Sequence, residues 1–309
     1  MTPATQIKRN ELKAFIERVL EPASAVQGVV GIGSIATGNI RPDSDIDIVV
    51  FFDPLDWYII PAEFLWRPSD GTFHEIFTDD EAVLKEGIQL DCLRLDLRRW
   101  ADTAFVWPEP RRAEFSTGWI AFDRDGRVTE LIAKHTAYSE TLRQSRLDNA
   151  IVWLDQHLAD DKLQRRWDSL GPAIAHDRLQ AAYHNLVEAL FAYNRAWLPW
   201  RNRQIDILLT LPWLPENFKE RGLQAVNATS LDFKGYMNRA EVLKGLFNDF
   251  LDRLVADGLY SAAPIDQAFI RSHDEPGYAW NMDDWNAEKL RRYLEESVEN
   301  EYNNEGLHD

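Results

Sequence analysis

Two aspartates, Asp45 and Asp47, stand at the head of an apolar run that continues to Phe52. The run predicts a buried strand, because it is rich in β-branched and aromatic residues and carries no charge after Asp47. Side chains alternate across a strand, so both carboxylates project from one side, about 7 Å apart along it. Carboxylates held that close repel each other unless a cation lies between them. The pattern predicts a site for Mg²⁺, which takes carboxylates and completes its shell with water and substrate phosphates.

A Gly-Ser pair, Gly33-Ser34, is separated from Asp45 by ten residues. It follows a predicted strand over 27–32, and its missing or short side chains let backbone N–H groups approach an anion closely. The Ser34 hydroxyl adds one more donor, and the residues after it are expected to form a short helix whose N-terminus faces the same phosphates. A turn over 41–44 then leads into the strand of the two aspartates. The arrangement predicts phosphoryl or nucleotidyl transfer.

This order of residues, Gly-Ser, a spacer and then Ser-Asp-Ile-Asp before an apolar run, resembles the nucleotidyltransferase superfamily that contains DNA polymerase β. The small bacterial members, which are the aminoglycoside, lincosamide and minimal nucleotidyltransferases, are the most similar. The resemblance is specific over residues 31–52 and looser over about 25–135. It implies that Asp45 and Asp47 hold two Mg²⁺ ions. It also implies that the nucleotide is bound by Gly33, Ser34 and Ser44.

Members of the superfamily use a third carboxylate on a neighbouring strand, which helps to hold the catalytic metal and to deprotonate the attacking hydroxyl. Asp91, between Leu90 and Cys92 in a segment with the composition of a strand, matches the family's apolar-Asp-apolar pattern. Asp96 lies five positions further on, so it is predicted to face the other side of the sheet. Glu75 is the alternative, because some antibiotic-modifying members use a glutamate. Both candidates stay open, and the pattern favours Asp91.

The chain has 309 residues, enough for two domains, and its hydrophobic pattern changes near residue 135. Before that point, apolar positions at helical spacing alternate with short β-branched runs. The elements predicted there are a helix over 6–20, strands over 27–32, 45–52, 73–77, 88–95 and 118–122, and a long aromatic loop over 53–72. The aromatic residues of that loop are Trp57, Tyr58, Phe64 and Trp66. They could stack a nucleobase, although such residues more commonly serve packing.

After residue 135 the pattern is helical throughout. Helices are predicted over 136–158, 173–198, 215–225, 232–257 and 285–298. The predicted fold class is therefore α+β. A nucleotidyltransferase domain over 1–135, with a mixed β-sheet flanked by helices, is followed by an all-α substrate-binding domain over 136–298. The acidic tail over 299–309 is expected to be disordered.

A basic and aromatic stretch over 193–203 stands out within the helical part. It resembles a segment of bacterial nucleotidyltransferases with a helical C-terminal domain, in which Asn, Arg and a basic residue after Pro face the substrate. On that resemblance Arg201, Arg203 and Lys234 are candidate phosphate ligands, since a departing pyrophosphate needs cations. The alternative is that they are ordinary surface cations of an acidic protein.

The charge balance, 34 basic against 51 acidic residues, gives a formal net charge of −17. Proteins that follow a nucleic-acid backbone usually carry a basic excess, so no nucleic-acid partner is expected. An acidic surface suits a cationic small substrate such as an aminoglycoside, and it also serves solubility alone. The single cysteine, Cys92, cannot form an internal disulfide and is predicted to be a buried packing residue. Neither a membrane-spanning stretch nor a signal-peptide core is present, so the cytoplasm is the expected location.

Together these features predict a Mg²⁺-dependent enzyme that transfers a nucleoside monophosphate to a hydroxyl of a small molecule, such as an antibiotic. Family resemblance makes ATP the expected donor. The sequence itself does not identify the nucleobase, the acceptor or the oligomeric state. One alternative is transfer to a protein target, as in antitoxin-like members. Another is a non-catalytic nucleotide-binding module on the same fold. The intact Gly-Ser pair and the three carboxylates argue against the latter.

Overall fold

The computed structural model describes residues 1–228, 230–273 and 285–295. The chain divides into two compact units: unit 1 comprises Met1–Tyr138 and Ala196–Ile207, and unit 2 comprises Ser139–Arg195 and the chain from Leu208 onward. A mixed sheet with flanking helices lies in unit 1, and the described part of unit 2 is helical, so the predicted fold class is confirmed. The segment Ala196–Ile207, which the sequence assigns to the helical domain, belongs to unit 1.

The sheet of unit 1 has six strands in the order β4-β3-β5-β2-β1-β6. They are β1 (Val26–Gly31), β2 (Ile46–Phe52), β3 (Glu63–Trp66), β4 (Phe73–His74), β5 (Ile88–Asp96) and β6 (Trp119–Asp123). Strand β2 runs parallel to β5 and antiparallel to β1. Both faces of β1 and β2 are covered, so apart from Gln27 and Asp47 these strands carry glycine or apolar residues on both faces and do not alternate.

Strand β3 corrects the expectation of an aromatic loop over 53–72. Phe64 and Trp66 lie in this strand and are core residues, 1% and 0% exposed, so a nucleobase-stacking role is wrong for them. Trp57 and Tyr58, by contrast, are 54% and 98% exposed. Strand β3 is only four residues long, too short for a hydrophobic period to be recognised, and it is stabilised by antiparallel pairing with β5. Strand β4 is also shorter than the predicted strand over 73–77.

The helices of unit 1 cover the two faces of the sheet. They are α1 (Pro3–Phe15), α2 (Gly33–Thr37), α3 (Glu81–Glu86), α4 (Leu97–Ala101), α5 (Glu109–Ser116) and α6 (Arg127–Thr136). A π-helical turn, Ile16–Leu20, continues α1, and both pack with Ile48 and Val50 in one buried cluster. On the other face, Val49 and Phe51 pack with residues of α4, α5 and α6. Cys92 is buried, as predicted.

The returning segment of unit 1 carries a 3₁₀ turn, Arg201–Arg203, followed by α9 (Gln204–Leu208). Its attachment to unit 1 rests on specific hydrogen bonds. The Trp197 Nε1–H donates to the Thr136 carbonyl at 2.7 Å, and the Leu198 amide donates to the Glu109 carboxylate at 2.9 Å. The first hydrogen bond joins residues 61 positions apart in sequence and the second joins residues 89 positions apart. Local sequence patterns cannot predict contacts over such separations.

Unit 2 contains α7 (Glu140–Leu158), α8 (Asp160–Tyr193), α10 (Phe218–Val226), α11 (Phe233–Ala256), α12 (Pro264–Ser272) and a helix over 285–295. A break at Gly171, where φ is 80° and a proline follows, divides α8 in two. The helix predicted over 173–198 ends earlier, at Tyr193, and α12 is not predicted at all. The tail over 299–309 lies outside the described residues. None of the helices in the described part of the chain is long and apolar enough to cross a membrane.

Candidate nucleotidyl-transfer site

Three predicted carboxylates lie at one end of the sheet. Asp47 on β2 is directly opposite Asp91 on β5, in neighbouring parallel strands that are about 5 Å apart. Asp45 immediately precedes β2, two residues before Asp47, so its side chain projects from the same face. That face is the one on which Val49 and Phe51 pack beneath α5 and α6. The structure therefore brings Asp45, Asp47 and Asp91 together.

The carboxylates affect one another electrostatically. The pKa of Asp47 is raised to about 6, first by desolvation and then by the negative charges of Asp45 and Asp91. The pKa of Asp91 is also raised, by desolvation first and by Asp45 second. Both pKa shifts show that ionising all three neighbouring carboxyl groups is unfavourable unless a cation is bound between them.

The Gly-Ser pair lies against these carboxylates. Gly33 begins α2 with a φ of +60°, a conformation that favours glycine, and a Cβ at this position would lie 3.3 Å from Asp47 Oδ2. The Ile32 amide just before it donates to the Asp47 carbonyl at 3.1 Å and fixes the loop to β2. Ser34 follows in the first turn of α2, and the half-buried Ser44 directly precedes Asp45. The predicted nucleotide-binding residues are thus grouped at the same sheet end.

The alternative third carboxylate, Glu75, lies elsewhere. It is exposed and follows β4, the edge strand, so that β3 and β5 stand between it and β2. Asp96 ends β5 and caps α4, where it accepts a hydrogen bond from the Arg98 amide at 2.9 Å. Of the acidic candidates, the structure places Asp91 beside Asp47 and leaves Glu75 and Asp96 apart.

The three candidate phosphate ligands do not share one place. Arg203 belongs to unit 1 through the returning segment, and its positive charge opposes the upward shift of the pKa of Asp47. Arg201 lies in the same 3₁₀ turn and donates to the Gln204 side chain at 3.2 Å. Lys234 belongs to unit 2, in the first turn of α11 beside its N-cap residue Asp232. Only Arg201 and Arg203 are therefore part of the unit that holds the carboxylates.

Helix α5 contributes residues that the sequence analysis does not single out. Arg111 and Glu114 form an ion pair of 2.6 Å, one helical turn apart. The Trp200 Nε1–H donates to the other oxygen of Glu114 at 2.9 Å, and the Arg111 guanidinium lies 5.4 Å from the centre of the Trp200 ring. We call Arg111, Glu114 and Trp200 the α5 cluster. The spacing of Arg111 and Glu114 is visible in the sequence, but their link to Trp200 is not.

The α5 cluster is electrostatically coupled to the carboxylates. Glu114 contributes to the raised pKa of Asp47, and Arg111 lowers the pKa of Asp91 against the larger effects of desolvation and Asp45. With Arg203, the cluster places two cations, one further carboxylate and a partly exposed aromatic ring on the same face of the sheet.

No group of three or more His, Cys, Asp or Glu side chains is gathered tightly enough to hold a metal ion as it stands, within residues 1–228, 230–273 and 285–295. The chemistry of the donor set nevertheless fits Mg²⁺. Asp45, Asp47 and Asp91 offer only carboxylate oxygens, and their mutual repulsion is what a divalent cation relieves. The fit requires the side chains to converge on the ion.

Comparison with known proteins agrees with this geometry. Residues 12–89 match the family model described as the nucleotidyltransferase domain, a stretch that contains Gly33, Ser34, Asp45 and Asp47 and ends before Asp91. No curated protein matches the chain. Among solved structures, a nucleotidyltransferase-like protein from Exiguobacterium sibiricum 255-15 is 12% identical, with a TM-score of 0.39, over 88% of this chain and 81% of that one.

Residues 12–89 of the chain carry a nucleotidyltransferase domain. The enzyme class predicted from Gly33-Ser34 and the two strand aspartates is thereby confirmed.

Proposed function

We infer that the chain transfers a nucleoside monophosphate from a nucleoside triphosphate, by family resemblance ATP, to a hydroxyl group of a small molecule. The observation that carries this proposal is the placement of Asp45, Asp47 and Asp91 on one face of β2 and β5, beside the backbone of Gly33. The reaction forms a bond between the acceptor oxygen and the α-phosphorus. It breaks the bond between the α-phosphorus and the bridging oxygen, so that pyrophosphate leaves.

The three aspartates would hold two Mg²⁺ ions, which when bound polarise the α-phosphate and neutralise the charge of the β- and γ-phosphates. Asp91 is the most exposed of the three, and in this proposal it accepts the proton of the attacking hydroxyl. A raised pKa makes a carboxylate a better proton acceptor than one in free solution. The chain's own contribution is thus to fix the position of negative charge and of the base.

Gly33 and Ser34 would bind the phosphates through backbone N–H groups and the Ser34 hydroxyl, with Ser44 as a further donor at the head of β2. Arg203 would attract the leaving pyrophosphate, because its positive charge acts on the pKa of Asp47 and therefore lies near the carboxylates. Arg201, in the same 3₁₀ turn, would add a second positive charge. Lys234 lies in unit 2, and the proposal does not depend on it.

The acceptor is proposed to be a small cationic molecule, an aminoglycoside being one example. Support comes from the net charge of −17 and from the carboxylate of Glu114 next to the aromatic ring of Trp200. A carboxylate attracts an ammonium group, and an indole face binds the apolar side of a sugar or a cation. These features lie on the same face of unit 1 as Asp47.

The decisive experiment is nucleotide transfer by the pure protein. Each of the four nucleoside triphosphates, labelled at the α-phosphate, is incubated with Mg²⁺ and with aminoglycosides, lincosamides or total cell protein. We expect label on a small molecule with release of pyrophosphate, and loss of both with EDTA. Asp43→Asn, a change at an exposed turn residue that pairs with Arg41, is the matched control for Asp47→Asn.

Label on a protein would instead support the antitoxin-like alternative. An absence of pyrophosphate release with every triphosphate and acceptor, in a protein that binds nucleotide, would favour a non-catalytic module.

A further inference from the structure

Arg239 of α11 is a buried cation with an incomplete set of partners. The residue is only 6% exposed. Its Nε–H donates to the Ala225 carbonyl at 2.7 Å, and Nη1 donates to His176 Nδ1 at 2.9 Å. Its Nη2, by contrast, is buried and has no hydrogen-bond partner. Buried guanidinium nitrogens are normally satisfied, so this orphan nitrogen calls for an explanation.

The guanidinium also lacks a counter-charge. No ion pair of 4.0 Å or less joins Arg239 to an acidic residue in the described part of the chain, and desolvation alone lowers its pKa. His176 does not replace an anion, because burial and then the charge of Arg239 lower its pKa and keep its ring neutral. An unpaired buried charge is among the most unfavourable features that a fold can contain. A ligand that brings a negative charge would relieve it.

A groove of about 440 Å³ lies over Arg239, between α10 and α11. Its walls combine amide side chains, which can donate hydrogen bonds, with aliphatic ones. The lining residues are Leu223, Gln224, Asn227, Gly235, Asn238, Arg239 and Val242. Arg239 is the one charged residue among them, and Leu223 is a large apolar side chain left 59% exposed. The volume lies within the range typical of small-molecule sites.

We propose that this groove binds a small monocarboxylate. The Arg239 guanidinium would donate a hydrogen bond from Nη2 to the carboxylate, and the side-chain N–H groups of Asn227 and Asn238 would donate the others. The apolar part of the ligand would lie against Leu223 and Val242. One cation in the groove matches one negative charge, and with Nε and Nη1 already engaged a single nitrogen remains, so a phosphate dianion fits less well. The site lies wholly in unit 2 and is independent of the proposed transfer reaction.

Thermal unfolding of the full chain tests the proposal. Acetate, butyrate, hexanoate and benzoate are compared at constant ionic strength with the neutral amides of the same acids and with inorganic phosphate. We expect the carboxylates to raise Tm in proportion to the logarithm of their concentration, more for longer apolar chains, because ligand bound only to the folded state stabilises it. The amides should give no rise.

Arg239→Met should abolish the response. Removing an unpaired buried charge is also expected to leave the unliganded Tm equal to or above that of the natural chain. Arg221→Met is the matched control, since Arg221 of α10 pairs with Asp249 and does not line the groove. That variant should keep the carboxylate response.

Leu223→Glu provides a test that does not alter the buried residue. It places a carboxylate on an exposed position of the groove, where the chain itself can supply the missing charge. We expect a higher Tm without ligand and a weaker response to butyrate. Equal effects of carboxylates and amides, a rise with phosphate alone, or an undiminished response in Arg239→Met would each overturn the proposal.

Discussion

Asp47 on β2 and Asp91 on β5 face each other in a parallel register that extends from the Ile46–Leu90 pair to the Phe52–Asp96 pair. Backbone hydrogen bonds along the whole ladder therefore fix the spacing of the two carboxylates. The buried side chains that follow on the same face, Val49 and Phe51, anchor β2 beneath α5 and α6. Negative charge at this sheet end is consequently a property of the fold and not of a mobile loop.

The first prediction concerns Asp47. Asp47→Asn keeps the size of the side chain but removes a charge that divalent cations need, so we expect transfer to fall by about two orders of magnitude or more. Without metal, the variant should be at least as resistant to heat as the natural chain, because repulsion from Asp45 and Asp91 is relieved. Steady-state kinetics and thermal unfolding in EDTA measure the two effects. Activity close to that of the Asp43→Asn control would remove Asp47 from the site.

The second prediction separates the candidates for the third carboxylate. Asp91→Asn should lower kcat by about two orders of magnitude or more, while the triphosphate still binds through Gly33 and Ser34. Glu75→Gln should change kcat little, because Glu75 follows the edge strand β4 and two strands separate it from β2. Single-turnover kinetics combined with nucleotide binding distinguish the two effects. The opposite ranking would mean that the transfer site does not include β5.

Much of this site is predictable from the sequence because its parts are local. Gly33-Ser34, Asp45 and Asp47 lie within fifteen residues and are positioned by one loop and one strand. Asp91 is predicted from a short pattern within its own strand. Glu114 and Trp200, in contrast, are 86 residues apart and meet only because the segment Ala196–Ile207 returns to unit 1. Contacts between residues so far apart in sequence do not change the hydrophobic periodicity of either segment, so the sequence does not predict them.

The fold shows the same division. The apolar run that follows Asp47 indicates a strand buried on both faces, and the structure confirms it in β2. The sequence predicts a loop at Phe64 and Trp66, because the four residues of β3 are too few to show a strand pattern. The strand forms because it pairs with its neighbour β5. The helix predicted over 173–198 ends early at Tyr193, and the chain passes from unit 2 to unit 1 at Ala196. Tertiary context decides such cases.

The third prediction uses two glycines with similar backbones. Gly33 and Gly71 have φ values of +60° and +77°, so alanine at either position should cost about 1 kcal/mol of strain. A Cβ at Gly71 meets nothing within 4 Å, whereas one at Gly33 lies 3.3 Å from Asp47 Oδ2. We therefore expect Gly33→Ala to lose both stability and transfer, and Gly71→Ala to lose stability alone. Chemical denaturation and kinetics on both variants check this, and equal loss of transfer would show that strain is the whole effect.

The fourth prediction concerns the cations of the returning segment. Arg203→Met should raise the KM for the triphosphate by about tenfold, because its charge is the one that acts on Asp47. Arg201→Met should have a smaller effect, since that side chain also donates to Gln204. Fluorescence titration with a nucleotide analogue measures binding directly. Unchanged nucleotide affinity in both variants would mean that Arg201 and Arg203 are ordinary surface cations and do not bind phosphate.

The fifth prediction concerns the α5 cluster. Glu114→Gln keeps the shape of the side chain but removes the carboxylate that pairs with Arg111. If Glu114 attracts a cationic acceptor, the KM for the acceptor should rise about tenfold while the KM for the triphosphate stays within about twofold. Trp200→Phe, which removes the donor to Glu114 but keeps a ring, tests the aromatic face separately. Parallel changes in both KM values would indicate that the cluster only holds the returning segment in place.

The last prediction concerns acid stability. His157 is 5% exposed, and its pKa is lowered from 6.5 to about 4, first by burial and then by the charges of Arg166 and Arg178. Its Nδ1 is also buried without a hydrogen-bond partner. The unfolded chain therefore binds a proton at His157 below pH 6.5 that the folded chain does not bind until about pH 4.

The contribution of His157 to stability is complete above pH 6.5 and is lost as the pH falls toward 4. Its slope in this window is about 1 kcal/mol per pH unit. His157→Phe, which keeps a ring against Trp153, should remove that part of the pH dependence and leave stability near pH 7.5 within about 1 kcal/mol of the natural chain. Urea denaturation between pH 4.5 and about 7.5 measures the difference, and parallel curves for both proteins would contradict a neutral, buried His157.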